Sequence, residues 1–179
     1  QKDFARYVGN NPLVHFSVGL LQVKPGYPVR AMAEAAEEAL MLAKQHKNPQ
    51  DEVIKNAISI YGQVVGWADY EALLKLSDRL DSLREEHRFS AGFTYRLLEL
   101  CDLAAQEKTT PAAALWRSRL AYQIRRNVVD RLVINGSENA QLKKSQLQTY
   151  LACELEGAIR NYGQTYRIAL QRHLYLNRT

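Results

Sequence analysis

The spacing of apolar and polar positions changes character near residue 62. Before it, residues 13–23 are rich in β-formers and almost continuously apolar, which predicts a strand buried on both faces. Pro25-Gly26 ends that strand, and Pro28 stands where a helix tolerates proline in its first turn. A helix is predicted over 28–46, with Met32, Ala35, Ala36, Ala39, Leu40 and Ala43 on one face at spacings of three and four. Side chains that small let a helix lie close on a sheet. Glu34, Glu37 and Glu38 fall in its first half and Lys44 and Lys47 at its end, as the helix dipole favours. A helix tail at 2–8 and a second strand at 54–61 complete this part.

The segment GQVVG (62–66) reads as the point where the period passes from two to nearly four, and everything beyond it as helical. Trp67, Tyr70, Leu73, Leu74, Leu80 and Leu83 mark one helix. Ser90 is an N-cap for a second, with Phe93, Leu97, Leu100, Cys101 and Ala104 inward. Pro111 opens a third, whose stripe is Trp116, Leu120, Ile124, Val128 and Leu132, closed by Asn135-Gly136. A fourth turns Leu147, Leu151, Leu155, Ala158 and Tyr162 inward up to Gly163. A last one carries Tyr166, Leu170 and Leu174. The expectation is an α+β chain, with a partial sheet domain over 1–62 and a bundle of about five helices over 63–179.

Charge sharpens the division. Residues 111–179 hold eleven Lys/Arg against four Asp/Glu, whereas residues 66–110 hold six against nine. The basic residues of the last third are nearly all arginine, which suits phosphate and carboxylate partners. Arg119 and Arg126 lie seven apart and so share a helix face opposite the Trp116–Leu132 stripe; Arg125, Arg160, Arg167 and Arg172 add to the positive field. That asymmetry points to RNA or an acidic protein neighbour.

Catalytic signals are absent. Histidines 15, 46, 87 and 173 show no metal-ligand spacing, so no metal site is expected. Glu37/Glu38 and Glu85/Glu86 read as solvated, and no Gly-rich phosphate loop occurs. No run of about 18 apolar residues suggests a membrane span. No signal peptide is visible, and the opening without an initiator methionine reads as a fragment of something longer. Cys101 and Cys153 lie far apart with no CxxC, the pattern of inert thiols in a reduced, cytoplasmic protein.

The run NPLVHFSVGLLQVKPGYPVRAMAEAAEEALMLAK, followed by AISIYGQVVGWADYEALLKLSDRL, FSAGFTYRLLEL, ALWRSRLAYQIRRN and LYLNR, resembles the large subunit of type III-A (Csm) CRISPR effector complexes. The resemblance covers essentially the whole chain. It implies the second half of a ferredoxin-like palm, related to GGDEF cyclases, over 1–62, then the C-terminal helical domain. The family implies a ribonucleoprotein whose partners are other Csm subunits (small subunits and the guide-end subunit), guide RNA and target RNA. Its paired palms convert ATP to cyclic oligoadenylate with magnesium held at a Gly-Gly-Asp-Asp hairpin, and many members add an HD nuclease. Neither element is in this sequence, so the chain by itself is expected to be catalytically silent.

By the same resemblance Lys44 matches the Ala-Lys position that meets nucleotide phosphates. An ammonium at a helix end is chemically suited to that role. Lys47 matches the basic position that follows, although Asn48-Pro49 departs from the cyclase pattern, and Ser17 lies on the strand after the hairpin. The resemblance sets the helical domain beside the small subunits and the guide–target duplex, with Arg119, Arg125, Arg126, Arg160 and Arg167 as RNA or subunit contacts. A non-catalytic scaffold and a GGDEF-type diguanylate cyclase fragment are the alternatives. About 115 residues of helix after the palm argue against the latter.

Overall fold

The computed structural model describes residues 2–11, 13–48, 52–132 and 139–178. The chain is α+β, with one small mixed sheet and mostly helix elsewhere. It divides into two compact units, Gln1–Lys75 and Leu76–Thr179.

The first unit opens with α1 (Lys2–Tyr7) and continues with β1 (Val18–Leu20), α2 (Val29–Lys44), β2 (Ala57–Ile60) and β3 (Gln63–Gly66). Sheet order is β1-β2-β3. β1 pairs parallel to β2, Gly19 opposite Ser59, with α2 as the crossover. β2 and β3 form an antiparallel hairpin, Ala57 opposite Gly66. Its turn, Tyr61-Gly62, has φ of 53° and 72°, the doubly left-handed arrangement whose twist suits two-residue hairpins. Residues 62–66 are therefore a turn and a strand rather than a passage into helix. Val64 and Val65 face Ser59 and Ile58 across the ladder, so the first unit runs past residue 62.

Both expected strands are shorter than their apolar runs. A strand persists only while a partner accepts its hydrogen bonds, and β2 offers β1 three register positions. All four residues of β2 are buried, whereas Leu20 on β1 is 42% exposed. The strand covered on both faces is thus the central β2, not β1. α2 matches its predicted span closely and packs on β1 and β2 through small residues, Ala43 being fully buried. Gly19 makes that approach possible. A Cβ there would lie 2.8 Å from both the Ala36 carbonyl oxygen and the Ala39 carbonyl carbon, and closer still to the Leu40 nitrogen.

α3 (Trp67–His87) follows β3 directly, and the two units meet in sequence within it. The second unit continues with α4 (Ala91–Ala105), α5 (Trp116–Asn127), α6 (Ala140–Tyr162) and α7 (Arg167–Leu176). Ser90 caps α4 as its position implies, accepting the Phe93 N–H at 3.3 Å. α4 packs against α5 and α7, and α5 against α6. The core holds Phe93, Leu97, Trp116, Leu120, Ile124, Leu151, Leu155, Ile159, Tyr166 and Leu170, each at most 2% exposed.

The stripe expected to run unbroken from Trp116 to Leu132 is interrupted. α5 ends at Asn127 and a tighter turn spans Val129–Arg131. Val128 and Val129 are both buried, at 1% and 4% exposure. An α-helix would set adjacent residues about 100° apart, so leaving it lets both turn inward. The expected stop at Asn135-Gly136 lies outside the described residues. Gly163 ends α6 at φ 52°, in the left-handed region where glycine is favoured. Among the described residues no helix is long and apolar enough to cross a membrane.

Candidate functional site

In the first unit a parallel β1–β2 pair with a helical crossover forces α2 to run back against the strands. The C-terminal end of α2 therefore returns to the edge where β1 and β2 begin. Ser17 immediately precedes β1 and is half-buried; Lys44 is the last residue of α2 and is exposed. The crossover returns the end of α2, with Lys44, toward the strand ends where Ser17 lies. Lys47 follows on the same side, its backbone bridged to Val53. Beside that bridge Ile54 N–H donates to the His46 carbonyl at 2.9 Å, and Asn48 and Glu52 exchange side-chain and backbone bonds at 2.9–3.0 Å.

The backbone beside Ser17 is anchored by aromatic rings. Trp67 Nε1–H donates to the Phe16 carbonyl at 3.2 Å, and the two rings stack with centroids 4.8 Å apart. Phe4 adds a tilted contact to Phe16 at 4.7 Å. A groove of about 330 Å³ opens beside them, lined in part by Phe4, Asn10, His15, Phe16 and Asn56. Ser17, Lys44 and Lys47 are outside the lining of that groove. Among the described residues no three His, Cys, Asp or Glu side chains converge to hold a metal ion.

The arginines of the second unit separate into two kinds. Arg167 reaches Asp102 at 2.6 Å, with Gln164 donating to the same carboxylate at 3.3 Å. Arg172 donates to Ser77 and Asp78 at 2.9 and 2.7 Å. These are ties between helices. Arg119 and Arg126 are exposed on α5 and join no ion pair among the described residues. Arg125 stands 3.7 Å from Asp130 and Arg160 3.9 Å from Glu156, loose surface pairings worth little.

Three clusters were not anticipated from sequence. Arg117 lies 4.7 Å over the Trp116 ring, bonds Glu107 and reaches Glu156 at 3.0 Å. Hydrogen bonds from Arg117 and from Trp116 hold Glu107 below its usual carboxylate range. Arg79 pairs with Glu154 at 2.7 Å and with the Tyr150 hydroxyl, and its guanidinium is driven further up by the Glu154 bond. Burial works against ionisation of Glu154, yet the Arg79 and Tyr150 bonds leave its net shift downward. His173, 2% exposed, contacts Asp81 at 2.6 Å, and Asn177 donates to the same Asp81 oxygen at 2.6 Å. Burial lowers the His173 pKa, partly opposed by Asp81. The sequence signal for this last cluster was only the 173/177 spacing on one helix face. Its acidic partner is 92 residues away.

No family model, curated protein or solved structure matches the chain.

Proposed function

We propose that this chain is the C-terminal part of a type III-A CRISPR large subunit, whose parent makes cyclic oligoadenylate from ATP when target RNA is recognised. In this reading the first unit is half of the second, ferredoxin-like palm and supplies one wall of the nucleotide pocket. The observation that carries it is a β-α-β-β unit followed directly by helices, whose parallel crossover returns the end of α2, with Lys44, toward the strand ends where Ser17 lies. A hydroxyl and an ammonium there suit the phosphates of ATP. Magnesium would be held by the parent's Gly-Gly-Asp-Asp hairpin. Exposed Arg119 and Arg126, with Arg125, fit a surface that meets the RNA or neighbouring subunits of a cytoplasmic ribonucleoprotein.

A pure scaffold is the second reading, supported by Ser17 and Lys44 lying outside the lining of the neighbouring groove. Translating the reading frame upstream of Gln1 separates them. A Gly-Gly-Asp-Asp hairpin within a few tens of residues supports the synthase. Its absence overturns that reading in favour of a scaffold, and a Gly-Gly-(Asp/Glu)-Glu-Phe sequence would assign a diguanylate cyclase.

A further inference from the structure

Between α4 and α5 the second unit carries a groove of about 360 Å³. Its lining sets the apolar Leu100, Leu103 and Leu115 beside Arg119, Tyr122 and Gln123. Tyr122 is 56% exposed and Leu115 54%, an uncovered apolar surface beside a cationic one. Spacings of three and four put Arg119, Tyr122 and Arg126 on one stripe of α5, a ring between two guanidinium groups. Across the groove Arg96 is already neutralised, bonded to both oxygens of Glu99 at 2.8 Å. The unpaired positive charge of the groove therefore sits on α5.

We propose that this groove binds single-stranded RNA, with phosphates on Arg119 at the groove and on Arg126 further along the same face of α5, and a base stacked on Tyr122 beside the leucines. A duplex keeps its base faces stacked inside and could use only the arginines. An unpaired strand can use the ring and the leucines as well. Gln123 and Ser118, also on the lining, offer hydrogen bonds to a base edge. The inference rests on the second unit facing RNA and is independent of the palm assignment, which is decided by the upstream reading frame.

The test uses the 179-residue chain with labelled oligo-U, oligo-A and a matched RNA duplex, read by fluorescence anisotropy over a KCl series. Tyr122→Ala should weaken single-strand binding about tenfold and leave the slope of log K against log salt unchanged. Arg119→Ala and Arg126→Ala should each reduce that slope by about 0.7. The duplex should bind more weakly than either single strand and ignore Tyr122→Ala. Tyr122 is exposed, so circular dichroism should show the variant folded as wild type. Equal binding of duplex and single strand, no effect of Tyr122→Ala, or no single-strand binding by the wild type would each overturn the proposal. So would a groove variant that keeps RNA affinity but loses binding of an acidic amphipathic helical peptide, which would make the groove a protein interface.

Discussion

Gly19→Ala would set a methyl group on β1 against the backbone of α2, 2.8 Å from the Ala36 oxygen and the Ala39 carbonyl carbon. Ordinary contacts begin near 3.4 Å, so the helix must lift by roughly 0.6 Å or more over its middle turns. Backbone atoms cannot rotate aside as a flexible side chain would. Overpacking of this sort costs about 1–3 kcal/mol, offset by about 0.5–1 kcal/mol from removing a strand glycine. Because the clash is with backbone, the overpacking cost falls in the upper half of its range, and a net loss of about 1–2.5 kcal/mol should speed amide exchange in α2 by roughly 5- to 70-fold. Gly157→Ala is the control. That glycine lies inside α6 with nothing within 4 Å of its virtual Cβ, so the same substitution should stabilise by about 0.5–1 kcal/mol. Unchanged α2 protection in Gly19→Ala, or faster α6 exchange in Gly157→Ala, would refute the reasoning.

A double-mutant cycle on Arg79 and Glu154 should return a coupling of about 1 kcal/mol, screened by their partial exposure; zero coupling would make that tie incidental. His173 binds protons less readily folded than unfolded, because burial lowers it from 6.5. Its contribution to stability is therefore complete above about pH 6.5 and lost as pH falls through the folded value. The urea midpoint should drop on acidification, and His173→Gln should flatten that dependence; an identical pH profile would contradict it. The buried Cys101 thiol is pushed up to about 12 by desolvation, whereas Cys153 is exposed. Iodoacetamide should add one label to the native chain and two after denaturation, by mass spectrometry.

Local signals in the sequence are legible where chemistry and position coincide within a few residues. The alanine face of α2, its lysine end and the Ser90 cap follow from spacing and capping alone. What sequence leaves open is pairing. The apolar run 13–23 gives no hint that only Val18–Leu20 finds a partner, and Val64-Val65 between two glycines is too short to display a period. The break after Asn127 comes from burying Val128 and Val129 together, a tertiary demand that overrides a regular stripe. The candidate site behaves the same way. Lys44 and Ser17 are candidates by resemblance alone, and only the parallel crossover places the end of α2 near the start of β1. Arginines are harder still: nothing local distinguishes Arg167, bound to Asp102, from Arg119, which stays unpaired among the described residues.

The most direct test of the central claim is oligoadenylate output from the assembled parent complex carrying Lys44→Ala. Losing a charge-assisted contact to a nucleotide phosphate costs about 1.5–3 kcal/mol. Production of cyclic oligoadenylate on target RNA should therefore fall roughly tenfold or more, with target-RNA affinity unchanged. Wild-type output from that variant would contradict the assignment of Lys44 to the nucleotide pocket.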